Sequence, residues 1–221
     1  MDIRHFNIMD HLLSGLDQKL RQLRGVADAI SPMENRKMRP SPAEDCVEHH
    51  LSEEQRRLSI ALMRVNHAGE IAAQGLYHGQ ALVSRDIELK RHLLKAANEE
   101  NDHLYWCRSR VEELGGNVSV LVPVWYWGSV AIGVTAGMAG DRWSLGFIVE
   151  TEHQVMRHLD RHLLRLPSED EKSRLVLLKM REEEAEHAMA AELLGAVPLP
   201  DVVKKLMSLT SKVMTTTAYR L

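Results

Sequence analysis

The chain has 221 residues, a formal net charge of −3 and 5% aromatic side chains. That length favours one domain with at most an appendage, and without a basic excess or an RNA- or DNA-reading motif, nucleic acid is excluded as a partner. Two cysteines, Cys46 and Cys107, are too few for a disulfide framework and fit a reducing compartment.

The opening stretch, "MDIRHFNIMDHLLSGLDQKLRQLR", lacks the continuous apolar core of a signal peptide. Its Asp2, Asp10 and Asp17 also argue against a transit peptide, so it reads as an amphipathic helix on a cytosolic protein. Residues 31–50 carry three prolines and mixed charge and read as a linker over the surface. The expected division is therefore 1–50, an N-terminal helix and linker, and 51–221, the main domain. Ser52 followed by acids is an N-cap for a first long helix reaching about residue 84. A second runs through "DIELKRHLLKAANEENDHLYWCRSRVEEL" and stops at Gly115–Gly116. The third, from Asp141, ends before Pro167, and the fourth takes Ser168 as its N-cap. An amphipathic segment, "PDVVKKLMSLTSKVMTTTAYRL", closes the chain as a further helix. No strand pattern competes, so the fold class is all-α.

Residues 114–140, between the second and third helices, contain no charged side chain. The stretch is long enough to pass a simple transmembrane test, yet Pro123, Gly128, Gly133, Gly137 and Gly140 interrupt it. The expectation is an extra hydrophobic helix for membrane contact that dips into one leaflet or packs along the bundle, with Trp125 and Trp127 at the lipid boundary. Lys204, Lys205 and Lys212 of the last segment would then face anionic headgroups.

Two Glu-x-x-His pairs, Glu100 with His103 and Glu184 with His187, lie on the second and fourth helices. At 3.6 residues per turn both pairs fall on apolar stripes. Leu93, Ala96, Ala97, Cys107 and Val111 flank the first, and Leu177, Met180, Ala188 and Ala191 the second. Glu152 sits among Leu145, Ile148, Val155 and Leu159 on the third helix, whereas Glu150 keeps company with His153, Gln154 and Arg157. Glu99 falls off its stripe, with His92, Lys95 and Asp102. Glu70 shares a face with Met63, Ala73 and Tyr77 on the first helix. Four buried carboxylates are very costly without a compensating cation, and no equal number of inward Lys or Arg is present. Two divalent metals held by Glu70, Glu100, His103, Glu152, Glu184 and His187 would supply it. Carboxylate with imidazole suits iron or manganese, in the arrangement of di-metal four-helix bundles. Glu70 precedes Glu100 by 30 residues and Glu152 precedes Glu184 by 32, so the centre reads as a pseudo-symmetric pair of half-sites. Of the other histidines, His67, His78, His92, His153, His158 and His162 are expected at the surface or behind the ligands.

"RVNHAGEIAAQGLYHGQ", "NEENDHL", "VETEHQVMRHL", "EEEAEHA" and the terminal "VMTTTAYRL" closely resemble the bacterial demethoxyubiquinone hydroxylases, over essentially residues 50–221. The resemblance implies a ferritin-like di-iron bundle, with the six residues above as ligands of two irons and O2 as co-substrate. It also implies a late step of ubiquinone biosynthesis, ring hydroxylation of a polyprenyl 6-methoxy-3-methyl-benzoquinol. Such a substrate lives in the bilayer, so a peripheral place on the cytoplasmic face of the inner membrane is expected, with other proteins of ubiquinone biosynthesis as candidate partners. The chain has no dinucleotide-binding fingerprint, so electrons must come from an external reductant or through the quinone. The competing readings are a ferritin-type iron-oxidising protein without organic substrate, against which the uncharged segment counts, and a radical-generating subunit, for which Tyr77 is the one tyrosine in place.

Overall fold

Ser52 opens the first helix as the sequence suggests. Its hydroxyl accepts from the Gln55 amide, and the Gln55 side chain returns a bond to the Ser52 amide, a reciprocal capping box. The computed structural model describes residues 38–221; the helix expected at the N-terminus lies outside them. Six helices and no strand occur among the described residues: α1 Glu53–Val83, α2 Ile87–Glu113, α3 Val122–Met138, α4 Asp141–Arg165, α5 Glu171–Leu193 and α6 Asp201–Arg220.

Short connections fold α1 with α2 and α4 with α5 into two antiparallel hairpins, and these four form the bundle. Asp86 caps α2 through the amides of Glu88 and Leu89, and Gly115, at φ 75°, ends it where a side chain would be strained. The cap of α5 is Asp170, not Ser168: its carboxylate accepts from the Ser173 amide and is held by buried Arg110. Ser168 instead lies outside the helix, its hydroxyl directed to Glu169.

Two apolar clusters fill the bundle, and the acids lie between them. One contains Met63, Trp106, Cys107, Leu159 and Met180; the other contains Tyr77, Ala97, Ile148 and Ala191. Along each bundle helix the inward Glu falls between a member of one cluster and a member of the other. The carboxylates are therefore sealed above and below by packed side chains.

The uncharged segment forms the helix α3 over Val122–Met138. Pro123 stands in its first turn, where a missing amide hydrogen costs nothing, and its glycines make a seam against α1. A Cβ on Gly79 would lie 2.2 Å from the Val130 carbonyl oxygen, and one on Gly133 would lie 2.3 Å from that of Leu76. Backbone approaches backbone there, so α3 packs along the bundle. None of the described helices is long and apolar enough to cross a membrane.

The remaining elements complete the outside. Helix α6 lies against α1 and α4, with Ala218 fully buried beside Val65, Ala68 and the partly buried Trp125. Trp125 thus faces the protein, correcting its expected place at the lipid boundary, while Trp127 is 63% exposed. Residues 38–50 run over the bundle, pinned where Glu48 pairs with Arg110 and where Arg39 reaches Asp102 and Glu183.

Candidate metal centre

All six sequence-selected residues meet in the layer between the apolar clusters. Glu70, Glu100, Glu152 and Glu184 are each 2% exposed or less. His103 Nδ1 lies 2.9 Å from Glu100 Oε2, 3.1 Å from Glu184 Oε1 and 3.7 Å from Glu70 Oε2. His187 Nδ1 lies 3.2 Å from Glu100 Oε1 and 3.3 Å from Glu184 Oε2. Glu100 and Glu184 each offer one oxygen to either histidine, so both carboxylates span the centre. Glu70 belongs to the His103 side and Glu152 to the His187 side, and the structure groups Glu70, Glu100, His103 and Glu184 as one candidate cation position and Glu152, Glu184 and His187 as another.

The donor chemistry fits cations. Glu152 Oε2 is buried and accepts no hydrogen bond, a costly state for a carboxylate oxygen unless something else coordinates it, and the buried Glu100 Oε1 and Glu184 Oε1 face only imidazole nitrogens, at 3.2 and 3.1 Å. Burial pushes the carboxyls of Glu70 and Glu152 well above the usual range, with Glu184 and Glu100 adding repulsion. Burial acts the same way on Glu100, but His103 and His187 outweigh it and hold its carboxyl low. Burial disfavours the imidazolium forms of His103 and His187; the surrounding carboxylates overcome it and raise both. Protons thus supply the compensation that the four acids require, and a divalent cation would take over that role by displacing them.

A ring of supporting side chains surrounds the six. Tyr77 donates to Glu152 Oε1 at 2.5 Å, so it acts on a candidate ligand instead of serving only the core. His103 Nε2 meets Glu183 Oε2 at 2.8 Å, and His187 Nε2 meets Glu99 Oε2 at 3.1 Å. Glu99 therefore reaches across to α5 although its own helix face points outward. Asp102, expected outside with it, is fully buried against Arg39. The sequence carried a signal for the two outer acids, since both motifs read Glu-Glu-x-x-His, a doubling that one helical face does not register. Glu150 stays outside the centre, as expected, bonded to Gln154 and Arg157.

Four histidines expected at the surface or behind the ligands are placed more specifically. His67, His78 and His162 are buried and His158 is half-buried. Burial lowers their imidazoles, to about 4 for His67, His78 and His158 and about 2 for His162, so they are neutral packing or hydrogen-bonding groups. His78 contacts the Tyr126 hydroxyl at 3.0 Å across the α1–α3 seam.

A cavity of about 480 Å³ opens between α1, α3, α4 and α6. Its walls are mostly apolar, among them Leu76, Ile132, Phe147 and Met207, and Glu70 lines it. Gly69, next to Glu70, also lines it and has nothing within 4 Å of the place a Cβ would take. An apolar guest could therefore reach the edge of the carboxylate layer.

The family model described as Ubiquinone biosynthesis protein COQ7 matches residues 56–218. The chain belongs to the COQ7 family. A 3-demethoxyubiquinol 3-hydroxylase of Nitrosococcus oceani is 50% identical over 219 residues, covering 99% of both chains. Proteins of the same name from Xanthomonas euvesicatoria and Aromatoleum aromaticum are 51% and 47% identical, covering 95% and 97% of this chain and 96% and 100% of theirs. The COQ7 match contains every candidate ligand but starts after Arg39, Glu48 and the Ser52 cap.

Proposed function

We propose that this protein hydroxylates the ring of a polyprenyl 6-methoxy-3-methyl-benzoquinol with O2, at two irons held by Glu70, Glu100, His103, Glu152, Glu184 and His187. The observation that carries the reading is the apolar cavity ending at Glu70. An iron-storage or ferroxidase centre needs no such cavity, and the relatives' shared name favours an organic substrate. Glu100 and Glu184 would bridge the two positions, with Glu70 and His103 completing one and Glu152 and His187 the other. When bound, the irons would supply the open positions and electrons for O2 reduction.

The protein's own part is to bind, orient and exclude. The cavity walls would take the ring and the start of its tail, shedding water as they do. His158 and Asn66 line this cavity, and the buried His158 Nε2 and Asn66 Oδ1 have no hydrogen-bond partner among the described residues; a rotation of either side chain would offer an acceptor to a ring hydroxyl. One oxygen atom enters the ring and the other leaves as water, with two electrons and two protons from an external donor. The decisive experiment supplies the Fe(II)-loaded protein with a short-chain demethoxyquinol, a reductant and ¹⁸O2. One ¹⁸O in the quinol product is expected; iron oxidation with an unchanged quinol would favour the ferroxidase reading and defeat this one.

Access from a bilayer rests on two exposed apolar faces. Val202, Leu206, Leu209 and Val213 form a stripe on α6, each at least 57% exposed, and Trp127 and Val124 project from α3. We read these as resting on the inner membrane's cytoplasmic leaflet, with Lys205 and Lys212 toward anionic headgroups. Lys204 is diverted, its Nζ 3.9 Å from Glu150. Leu209→Glu with Val213→Glu should weaken binding to anionic vesicles by about 10-fold or more, since each buried aliphatic side chain is worth roughly 1.5–3 kcal/mol. Flotation of the double variant at the parent level would remove α6 from the contact.

A further inference from the structure

The two histidines are supported by exchange. Glu99 and Glu100 are adjacent on α2, yet Glu99 serves His187 of α5; Glu183 and Glu184 are adjacent on α5, yet Glu183 serves His103 of α2. Each histidine presents Nδ1 to the inner carboxylates and Nε2 to an outer one. Such an outer acceptor fixes ring orientation and raises the donor strength of the ligating nitrogen.

The outer acids are not held alike. Arg39 places Nη1 and Nη2 each 2.7 Å from the two oxygens of Glu183, a bidentate fork. Its Nε lies 2.6 Å from Asp102 Oδ2, its own amide reaches Asp102 Oδ1, and the indole of Trp106 donates to its carbonyl. The guanidinium also lies over the Trp106 ring, 4.9 Å from its centroid. Lys179 adds a longer contact of 3.4 Å to Glu183. On the other side, among the described residues, Lys95 is the one lysine or arginine on Glu99, at 2.9 Å and 72% exposed. A fork between planar groups sets orientation in a way that a single flexible ammonium does not.

We propose that Arg39 is a positioning residue of the metal centre: by forking onto Glu183 it fixes the carboxylate that receives His103 Nε2, and so makes the His103 position the tighter of the two. Arg39 precedes the residues matched by the family model, so the segment ahead of the bundle reaches the chemistry through it. The inference rests on the metal reading of the six residues above.

The test titrates metal-free protein with Co2+ alone, following visible absorption and heat of binding, with helicity checked by circular dichroism. The parent protein should bind in two steps of unequal affinity. Arg39→Met, which leaves Glu183 in place but unfixed, should weaken the tighter step about 10-fold, the lower end of the cost of losing an outer partner outright, and change its absorption bands. The weaker step should move much less. Arg39→Lys should recover part of the loss, and Lys95→Met should affect only the weaker step. Parent affinity and bands in Arg39→Met, or equal weakening of both steps, overturn the proposal. Should Arg39→Met not fold, parent affinity in Arg39→Lys overturns it as well. Failure of the parent protein to bind Co2+ at all would instead refute the metal centre itself.

Discussion

Glu152→Ala should leave a helical protein that has lost at least half its iron and at least about 100-fold of its hydroxylation, while Glu150→Ala changes neither. Both acids stand on α4, two residues apart, and both are largely buried. What separates them is company. Glu150 is neutralised locally by Arg157 at 3.0 Å and bonded to Gln154. Glu152 has one oxygen on Tyr77 and the other without any hydrogen bond, within the group formed with Glu184 and His187. Losing an outer partner of a metal ligand already costs 10- to 100-fold, so loss of the ligand itself should cost more. The Ala variant also strands the Tyr77 hydroxyl, at a cost of about 1–3 kcal/mol. Iron analysis and turnover of the two variants settle the matter. The helical register is wrong if Glu150→Ala is the variant that empties the protein.

The second large effect concerns shape. Gly79→Ala combined with Gly133→Ala should lower the melting temperature by about 10 °C and impair quinol turnover, with iron content in the folded fraction unchanged. The added methyl groups would meet backbone carbonyl oxygens at 2.2 and 2.3 Å, and backbone has no rotamer with which to move aside. Overpacking of this kind costs about 1–3 kcal/mol per site, and each kcal/mol is worth about 2–4 °C in a domain of this size. Separation of α3 from α1 would also shift Trp125, Ser129 and Ile132, which line the cavity. Gly128→Ala is the matched control, since nothing lies within 4 Å of its Cβ position. Equal melting of the double variant and this control would mean the seam does not hold α3 in place.

These two cases mark what helical periodicity carries and what it omits. The six inward residues were legible because one period, applied separately to four helices, selects them against an apolar background. Glu150 and Glu152 were told apart in the same way. Arg39 was not legible, because its partners lie 63 and 144 residues away and it stands in no periodic element. Glu99 was misjudged because a residue one position before an inward one points about 100° aside, which in a bundle means toward a neighbouring helix as readily as toward water. The seam between the uncharged helix and α1 was not legible for another reason. Glycine is a poor helix former in isolation, and its value there lies in what it admits from α1, which no local reading of 117–140 contains.

The crossed pairs, Glu99 with His187 and Glu183 with His103, have the form of a two-fold contact, in which one residue touches its counterpart's partner and the reverse also holds. Inside a single chain this means that neither hairpin carries a complete coordination unit. Separated, each would keep its inner acids and its imidazole but lose the acceptor behind the ring. Assembly of the two hairpins and completion of the centre are therefore one event, and a change to the doubled acids of either motif is felt at the opposite histidine. Because the duplicates share a chain, the symmetry is free to lapse, and it has lapsed at the clamps: a planar fork behind one half, an exposed ammonium behind the other.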